Sequence, residues 1–196
     1  MLVQVVHCHP LTDSYNHALF ATIVTALEEN GHEVVATDLY REQFDPIMTA
    51  TERHSYYEPH YHDAAVSAET ELLRRVDGII FCFPQWWFSM PAVLKGYFDR
   101  VWAPGIAFEH NRAGGSIRPL LTHIKVFGVV TTYGSPWWIV RLVAGDPGRK
   151  VLMRGLKPMC GRRVRSFFLA QYDLDRATLE ARTAFIARVR TRIGRI

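Results

Sequence analysis

Short apolar runs alternate along this chain with longer stretches in which apolar residues recur at helical spacing. The runs are rich in β-branched and aromatic residues, which predicts five strands, at residues 2–8, 34–37, 78–83, 123–134 and 164–170. Helices are predicted between and after them, at residues 15–31, 64–75, 92–101, from about 150, and at 175–192, with one short helix between 42 and 62. Five strands alternating with helices predict an α/β fold, in which a doubly wound parallel sheet carries helices on both faces.

Two of the predicted helices show an apolar stripe that should face the sheet. In the helix after the third strand the stripe contains Ala92, Leu94, Phe98 and Val101. In the last helix the apolar positions are Leu179, Phe185, Ile186, Val189 and Ile193, and arginines occupy the other positions.

Aromatic residues dominate the loop that follows the third strand. Trp86, Trp87 and Phe88 are consecutive there, within Gln85–Met90. In a doubly wound sheet of order 2-1-3-4-5, the carboxyl ends of the first, third and fourth strands border one crevice, where such sheets bind ligands. The three rings are either a plug of the core or of a subunit interface, or a platform for a planar ligand.

The other two strand ends at this crevice carry hydrogen-bonding groups. The first loop holds His9, Thr12, Ser14 and Asn16 and opens a helix, whose N-terminus attracts anions; the plainer alternative is a helix cap by Asp13 or Ser14. The fourth strand ends in Thr131, Thr132, Tyr133 and Gly134. The glycine patterns of dinucleotide-binding and P-loop proteins do not occur in the sequence.

Composition limits the class of protein. The 196 residues, 48% of them hydrophobic, suffice for one core, so residues 1–196 are expected to form a single domain.

The net charge of +4 comes with arginines concentrated after residue 148, which favours a local anionic ligand or a solvated face over nucleic-acid binding. No run is long and apolar enough for a membrane helix, and the first residues lack a signal-peptide pattern, so a cytoplasmic protein with no membrane insertion is expected. The three cysteines are expected to be free and buried.

Histidines are numerous but do not follow a strong metal-binding pattern. His7 and His9 are two positions apart and could share one strand face, and His54, His60 and His62 fall in a polar segment. Because the spacings typical of zinc sites are missing, no metal is expected. The serine-hydrolase elbow G-x-S-x-G is also missing.

Taken together, these loops resemble the NAD(P)H:quinone oxidoreductase family, flavodoxin-like flavoproteins that include DT-diaphorase. The matching pieces are His9-Pro10 followed by SYNHAL, then DLY with FDP, then FPQWWFSMPAVLKGYFDRV, then TTYG, and lastly Gly145-Asp146. The third piece is the most specific. The resemblance implies a flavodoxin-like fold with a five-stranded parallel sheet of order 2-1-3-4-5, a homodimer, and FAD, with FMN as the alternative.

The resemblance also implies roles for individual residues. The cofactor-binding set is His9, Ser14, Tyr15, Asn16, Pro84, Gln85, Trp86, Trp87, Phe88, Thr131, Thr132, Tyr133 and Gly134. The catalytic set is Trp87, Phe88, Tyr133 and Trp138, while Phe108 and His110 match positions that reach the partner subunit's quinone pocket. NAD(P)H and a quinone would use the same face in turn, in a ping-pong two-electron hydride transfer through flavin N5.

One departure from the family pattern concerns the loop before Gly145-Asp146. Family members place a tyrosine and a histidine there, whereas this chain has Trp138 and Ala144. A second function stays open, because regulatory flavoprotein subunits of glutathione-regulated potassium efflux systems resemble the same family; such a subunit would dock on a membrane transporter. A one-electron flavodoxin fits less well, because those carriers are usually acidic.

Overall fold

Five parallel strands form the central sheet of the computed structural model, which describes residues 1–58, 60–110 and 117–196. The strands are β1 (Leu2–His7), β2 (Glu33–Asp38), β3 (Gly78–Pro84), β6 (Val126–Thr132) and β7 (Arg165–Gln171). A small antiparallel pair, β4 (Phe108–Glu109) and β5 (Arg118–Pro119), lies outside this sheet. The spatial order is β2-β1-β3-β6-β7, which confirms the predicted order 2-1-3-4-5.

Helices cover both faces of the sheet, as the alternating pattern predicted. They are α1 (Tyr15–Glu29), α2 (Ala50–Ser55), α3 (Ser67–Arg75), α4 (Ala92–Val101), α5 (Pro147–Lys150) and α6 (Leu179–Ile193). Leu19 and Ile23 of α1 pack with Phe185 of α6 on one face, while Leu94 and Phe98 of α4 pack on the other. Every residue of β3 and β6 is buried, which explains why these strands read as continuous apolar runs.

Two predicted core positions are wrong. Ala92 is exposed, and the inward face of α4 instead includes Val93, Tyr97 and Arg100. Leu179, the first residue of α6, is also exposed and lies with Thr183 and Ala187 rather than with the buried residues of that helix. Periodicity located the rest of each stripe correctly, including its last residue, Val101 in α4 and Ile193 in α6.

Arg100 is buried in α4 because it has a partner in the segment between β2 and α3. Its Nε donates a hydrogen bond of 2.8 Å to Glu52 Oε1, and a second guanidinium nitrogen, Nη2, lies 2.8 Å from the same oxygen. Glu52 also completes a capping box with Thr49 at the start of α2. The pair therefore attaches this polar segment to the face of α4.

The three cysteines, Cys8, Cys82 and Cys160, are buried free thiols, as expected. Across the described ranges, every helix is too short or too polar to cross a membrane.

Candidate functional site

A cavity of about 1100 Å³ opens at the carboxyl ends of β3 and β6. The strand ends expected to border the crevice supply much of its wall, and the loop after β7 supplies the rest. The lining residues are His9, Pro84, Gln85, Trp86, Trp87, Phe88, Thr132, Tyr133, Gly134, Ser135, Pro136, Ile139, Asp173, Leu174, Asp175 and Arg176.

The aromatic part of the wall is a tight turn. Trp86 and Ser89 exchange two backbone hydrogen bonds, of 2.9 and 3.0 Å, so Trp87 and Phe88 are the two central residues. Both have positive φ, 52° and 58°, the pattern of a type I′ turn, which normally takes asparagine and glycine. Bulky residues in this conformation are strained, and such strain concentrates at functional sites. The turn projects Trp87 into solvent, where 96% of it is exposed.

Gln85 is the buried polar residue at the base of this turn. Its backbone N–H donates to the Thr132 carbonyl at 2.8 Å and so joins the loop to the end of β6. Its side-chain amide is buried, yet neither the nitrogen nor the oxygen has a hydrogen-bond partner. A buried amide left unpaired is costly, so this group suits a ligand that both donates and accepts hydrogen bonds.

Gly148 leaves room for the Gln85 side chain because it has no side chain of its own. A Cβ at this position would lie 2.3 Å from Gln85 Oε1 and 2.9 Å from the Phe88 carbonyl oxygen. The Gly148 N–H donates to that same carbonyl at 3.0 Å. The loop from β3 and the first turn of α5 therefore form one close-packed wall.

Tyr133 forms a second connection between β6 and α5. Its hydroxyl donates a hydrogen bond of 2.7 Å to Asp146 Oδ1, and its ring stacks on Tyr172 at a centroid distance of 5.0 Å. Burial, together with the neighbouring Asp146, raises the pKa of the Tyr133 hydroxyl. The other oxygen of Asp146, Oδ2, is buried without a partner.

Residues 173–176, on the far side of the cavity, were not predicted from the sequence. They follow β7, whose carboxyl end lies at the same edge as those of β3 and β6. Gly134 approaches them closely, since a Cβ there would lie 2.7 Å from Asp175 Oδ2. The strand-end argument used for the other loops would have found this segment if it had been applied to the fifth strand.

The first loop contributes only His9 to the cavity wall, where its ring lies 6.2 Å from that of Trp86. Ser14 caps α1 by accepting from the His17 N–H, which matches the plainer alternative for this loop. The Tyr15 hydroxyl donates to the side chain of Gln171 and to the Arg182 carbonyl, so it faces α6. Asn16 is buried, and its Nδ2 has no partner.

Four further residues of the predicted site lie outside the wall of this cavity. Thr131 is fully buried and donates to the Phe83 carbonyl at 2.6 Å, so its hydroxyl faces the sheet. Trp138 is half exposed beside the helical segment Ile139–Val143. Phe108 and His110 contact each other, with ring centroids 5.1 Å apart, at the small β4–β5 sheet.

Basic residues surround a smaller cavity of about 300 Å³, whose wall includes Asp146. Its lining includes Arg141, Arg149, Lys150 and Arg154. Three of these residues, Arg149, Lys150 and Arg154, belong to the basic region after residue 148.

The chain is similar in sequence to a known family and to several known proteins. A family model described as the flavodoxin-like fold matches residues 1–193. The uncharacterized NAD(P)H oxidoreductase YcaK of Escherichia coli K12 is 36% identical over 112 residues, 54% of this chain and 55% of YcaK. NAD(P)H dehydrogenase (quinone) 1 of Rattus norvegicus is 33% identical over 122 residues, 54% of this chain and 44% of the rat protein. The matches thus span about half the length of these curated relatives.

Similarity in three dimensions extends over the entire length. The crystal structure of Smu.1420 from Streptococcus mutans UA159 superposes with a TM-score of 0.86 at 25% sequence identity, and the alignment covers 100% of both chains.

Proposed function

Because this chain belongs to the family with the flavodoxin-like fold, we propose that it is a flavin-dependent NAD(P)H dehydrogenase that reduces quinones or similar acceptors. The observation that carries the proposal is the unpartnered Gln85 amide, buried in the wall of a cavity that is partly aromatic. A flavin combines a flat ring, which suits Trp86, Trp87 and Phe88, with donors and acceptors on its pyrimidine edge, which suit Gln85. The names of YcaK and the rat relative support the same activity.

The residues present fit a flavin. Pro84, Gln85 and the three aromatic residues would hold the ring, together with Thr132, Tyr133 and Gly134 at the end of β6. His9 and the first turn of α1, where Ser14, Tyr15 and Asn16 lie, would hold the phosphate side. We propose FAD as the cofactor, with FMN as the alternative. When bound, the flavin would accept a hydride from NAD(P)H and deliver it to the acceptor in a second half-reaction.

The protein's own contribution would be orientation and exclusion of water. The aromatic turn forms a rigid apolar wall, since both of its ends are hydrogen-bonded and Phe88 is held by Gly148. Tyr133, fixed by Asp146, keeps the end of β6 in position for backbone donation to a ring that gains negative charge on reduction. The basic residues around the smaller cavity support an anionic co-substrate such as a pyridine dinucleotide.

A homodimer belongs to the same proposal. Trp137, Trp138, Leu142 and Val143 are large apolar residues that are about half exposed or more, and they are close together in the chain. Exposed large apolar residues that cluster are typical of a protein interface. In the dimer, Phe108, His110 and Trp138 would complete the acceptor pocket across the interface. A charge introduced at Leu142 is expected to shift the protein from dimer to monomer in analytical ultracentrifugation, and an unchanged dimer would remove this surface from the proposal.

The visible absorption spectrum of the purified protein tests the function most directly. A flavin spectrum, identification of the released flavin by chromatography, and turnover of a quinone with NADH or NADPH are the expected results. A colourless protein that takes up neither flavin would overturn the proposal. Flavin binding without quinone turnover, together with copurification of a membrane transporter, would favour the regulatory alternative. The cytoplasmic location expected from the sequence is part of this proposal.

A further inference from the structure

His7, His17 and Asp38 converge on one point beneath the first turns of α1, on the face of the sheet that α1 and α6 cover. One potential ligand atom from each residue lies within 4.8 Å of the other two. None of the three lines the cavity assigned to the flavin. The group therefore lies outside the wall of that cavity, next to the α1 turn that is proposed to hold the flavin phosphate.

The fold creates this group through strand register. In the parallel pairing of β1 with β2, His7 is the direct partner of Asp38, so both side chains project from the same face. The helix α1 crosses above them and supplies His17, one turn from Phe20. The His7 ring stacks on Phe20 at a centroid distance of 4.6 Å and meets the His17 ring edge-on at 5.3 Å. These contacts restrict the orientation of both imidazoles.

The His7 side chain is fully buried, and its ring nitrogens are not hydrogen-bonded. Its relative exposure is 0%, and neither Nδ1 nor Nε2 makes a hydrogen bond. His17 Nδ1 is buried and unpartnered as well. Each such nitrogen has lost its hydration without compensation, which native proteins rarely tolerate unless something else binds there.

The Asp38 carboxylate is held in place by backbone hydrogen bonds. Its Oδ1 accepts hydrogen bonds of 3.1 Å from the backbone N–H groups of Tyr40 and Arg41. No hydrogen bond to its other oxygen, Oδ2, occurs among the described residues. Hydrogen bonds that fix a carboxylate while leaving one oxygen open are the usual second shell of metal ligands.

We propose that His7, His17 and Asp38 bind a divalent transition-metal ion, with Zn²⁺ as the probe of choice. Two imidazole nitrogens and one carboxylate oxygen are a ligand set found in zinc and other transition-metal sites, with the remaining position filled by water. Around a tetrahedral zinc ion, ligand atoms about 2.0–2.1 Å from the metal lie about 3.4 Å apart. Since the observed ligand atoms lie within 4.8 Å of one another, they would move closer together when the metal binds.

A metal here would connect β1, β2 and α1 at one point. It would fix the turn of α1 that directly follows the Ser14 cap, and its binding would stabilise the folded state because the unfolded chain does not hold the three ligands together. This site does not depend on the proposed flavin chemistry, since the metal acts on the fold of the α1 turn.

Zinc titration of the metal-stripped chain of residues 1–196 tests the proposal. We expect isothermal titration calorimetry to show one site for Zn²⁺ per chain, and Zn²⁺ to raise the melting temperature. Asp38→Asn keeps an oxygen for the backbone N–H groups but removes the charge, and His17→Ala removes a half-buried ring. Both are expected to weaken zinc binding at least about tenfold and to abolish the thermal shift. His54→Ala, on the exposed surface of α2, is the matched control and should change neither.

His7→Leu keeps an apolar contact with Phe20 and should also lose zinc binding. Its circular dichroism spectrum shows whether the variant folds. If it does not fold, the Asp38→Asn and His17→Ala variants decide whether the three residues bind zinc. Co²⁺ provides an independent readout, because coordination by imidazole gives visible absorption bands that are lost in the ligand variants. A chain that binds no zinc, or variants that bind it as tightly as the wild type and the His54 control, would overturn the proposal.

Discussion

The hydroxyl of Tyr133 and the carboxylate of Asp146 are joined by a buried hydrogen bond of 2.7 Å, which connects the end of β6 to the start of α5. Asp146 is held there in a left-handed conformation, with φ of 50°, and its N–H donates to the Val140 carbonyl. The bond therefore determines how α5 packs against the cavity wall.

Tyr133→Phe is expected to lower the free energy of unfolding by about 1.5–3 kcal/mol, because the buried Asp146 would then lack a partner on both oxygens. Urea denaturation measures this loss. Tyr40→Phe is the control, since Tyr40 is partly exposed and its hydroxyl makes no hydrogen bond within the described ranges. If both variants lose the same free energy of unfolding, the buried Tyr133–Asp146 hydrogen bond does not stabilise the fold.

Trp87→Asn is expected to stabilise the fold by about 1 kcal/mol while lowering quinone turnover. Asparagine tolerates the positive φ of this position, and removal of a ring that is 96% exposed loses almost no burial. Turnover should fall because the ring is proposed as part of the binding wall. Trp137→Asn, at another exposed tryptophan without positive φ, should give no stabilisation. A loss of stability in Trp87→Asn would show that the turn is not strained.

Gly148→Ala is expected to weaken flavin binding at least tenfold, or about 1.4 kcal/mol. The added Cβ would displace the Gln85 side chain or the Phe88 carbonyl. Flavin fluorescence during titration of the apoprotein measures the dissociation constant. Gly155→Ala serves as the control, because a Cβ at Gly155 would point into open space, with no neighbouring group within 4 Å. If Gly148→Ala binds flavin with unchanged affinity, the close packing of Gly148 against Gln85 and Phe88 is not required for flavin binding.

Glu52→Gln is expected to destabilise the protein at neutral pH by about 3–5 kcal/mol, since Arg100 would remain buried without a counter-charge. Burial alone would raise the pKa of Glu52, but hydrogen bonds from Thr49 and Arg100 outweigh it and lower that pKa below its usual value of about 4.5. The stabilisation is therefore complete above about pH 4.5 and is lost as the pH falls toward the folded-state pKa.

The difference in unfolding free energy between the wild type and Glu52→Gln should shrink below about pH 4.5, as measured by urea denaturation across pH. Glu29→Gln is the matched control. Glu29 forms an exposed pair with Arg190, so its loss should cost no more than about 1 kcal/mol at any pH. A difference between wild type and Glu52→Gln that stays constant with pH would exclude titration of Glu52 as the cause.

The order of the strands and the position of the aromatic loop follow from local patterns. A run such as Gly78–Phe83 is apolar throughout because both faces of the strand are covered, and alternation with helices leaves few topologies. The same logic correctly brought His9, Gln85 and Tyr133 to one crevice, because parallel strands end at the same edge. Strand order and the meeting of these loops depend on local residue patterns and on chain connectivity, and both can be read from the sequence.

The directions of side chains, and the contacts between residues far apart in the chain, were decided by the tertiary structure. That Trp87 points into solvent results from the left-handed turn, which no local preference of tryptophan or phenylalanine predicts. The meeting of Arg100 with Glu52 requires the segment between β2 and α3 to fold back on α4. His7, Asp38 and His17 meet only through strand register and the path of α1, so their spacing in the sequence resembles no metal motif. The sequence by itself determined the layers and the edge of the ligand cavity, because periodicity encodes burial; the tertiary structure decided which polar groups meet, because those contacts join residues far apart in the chain.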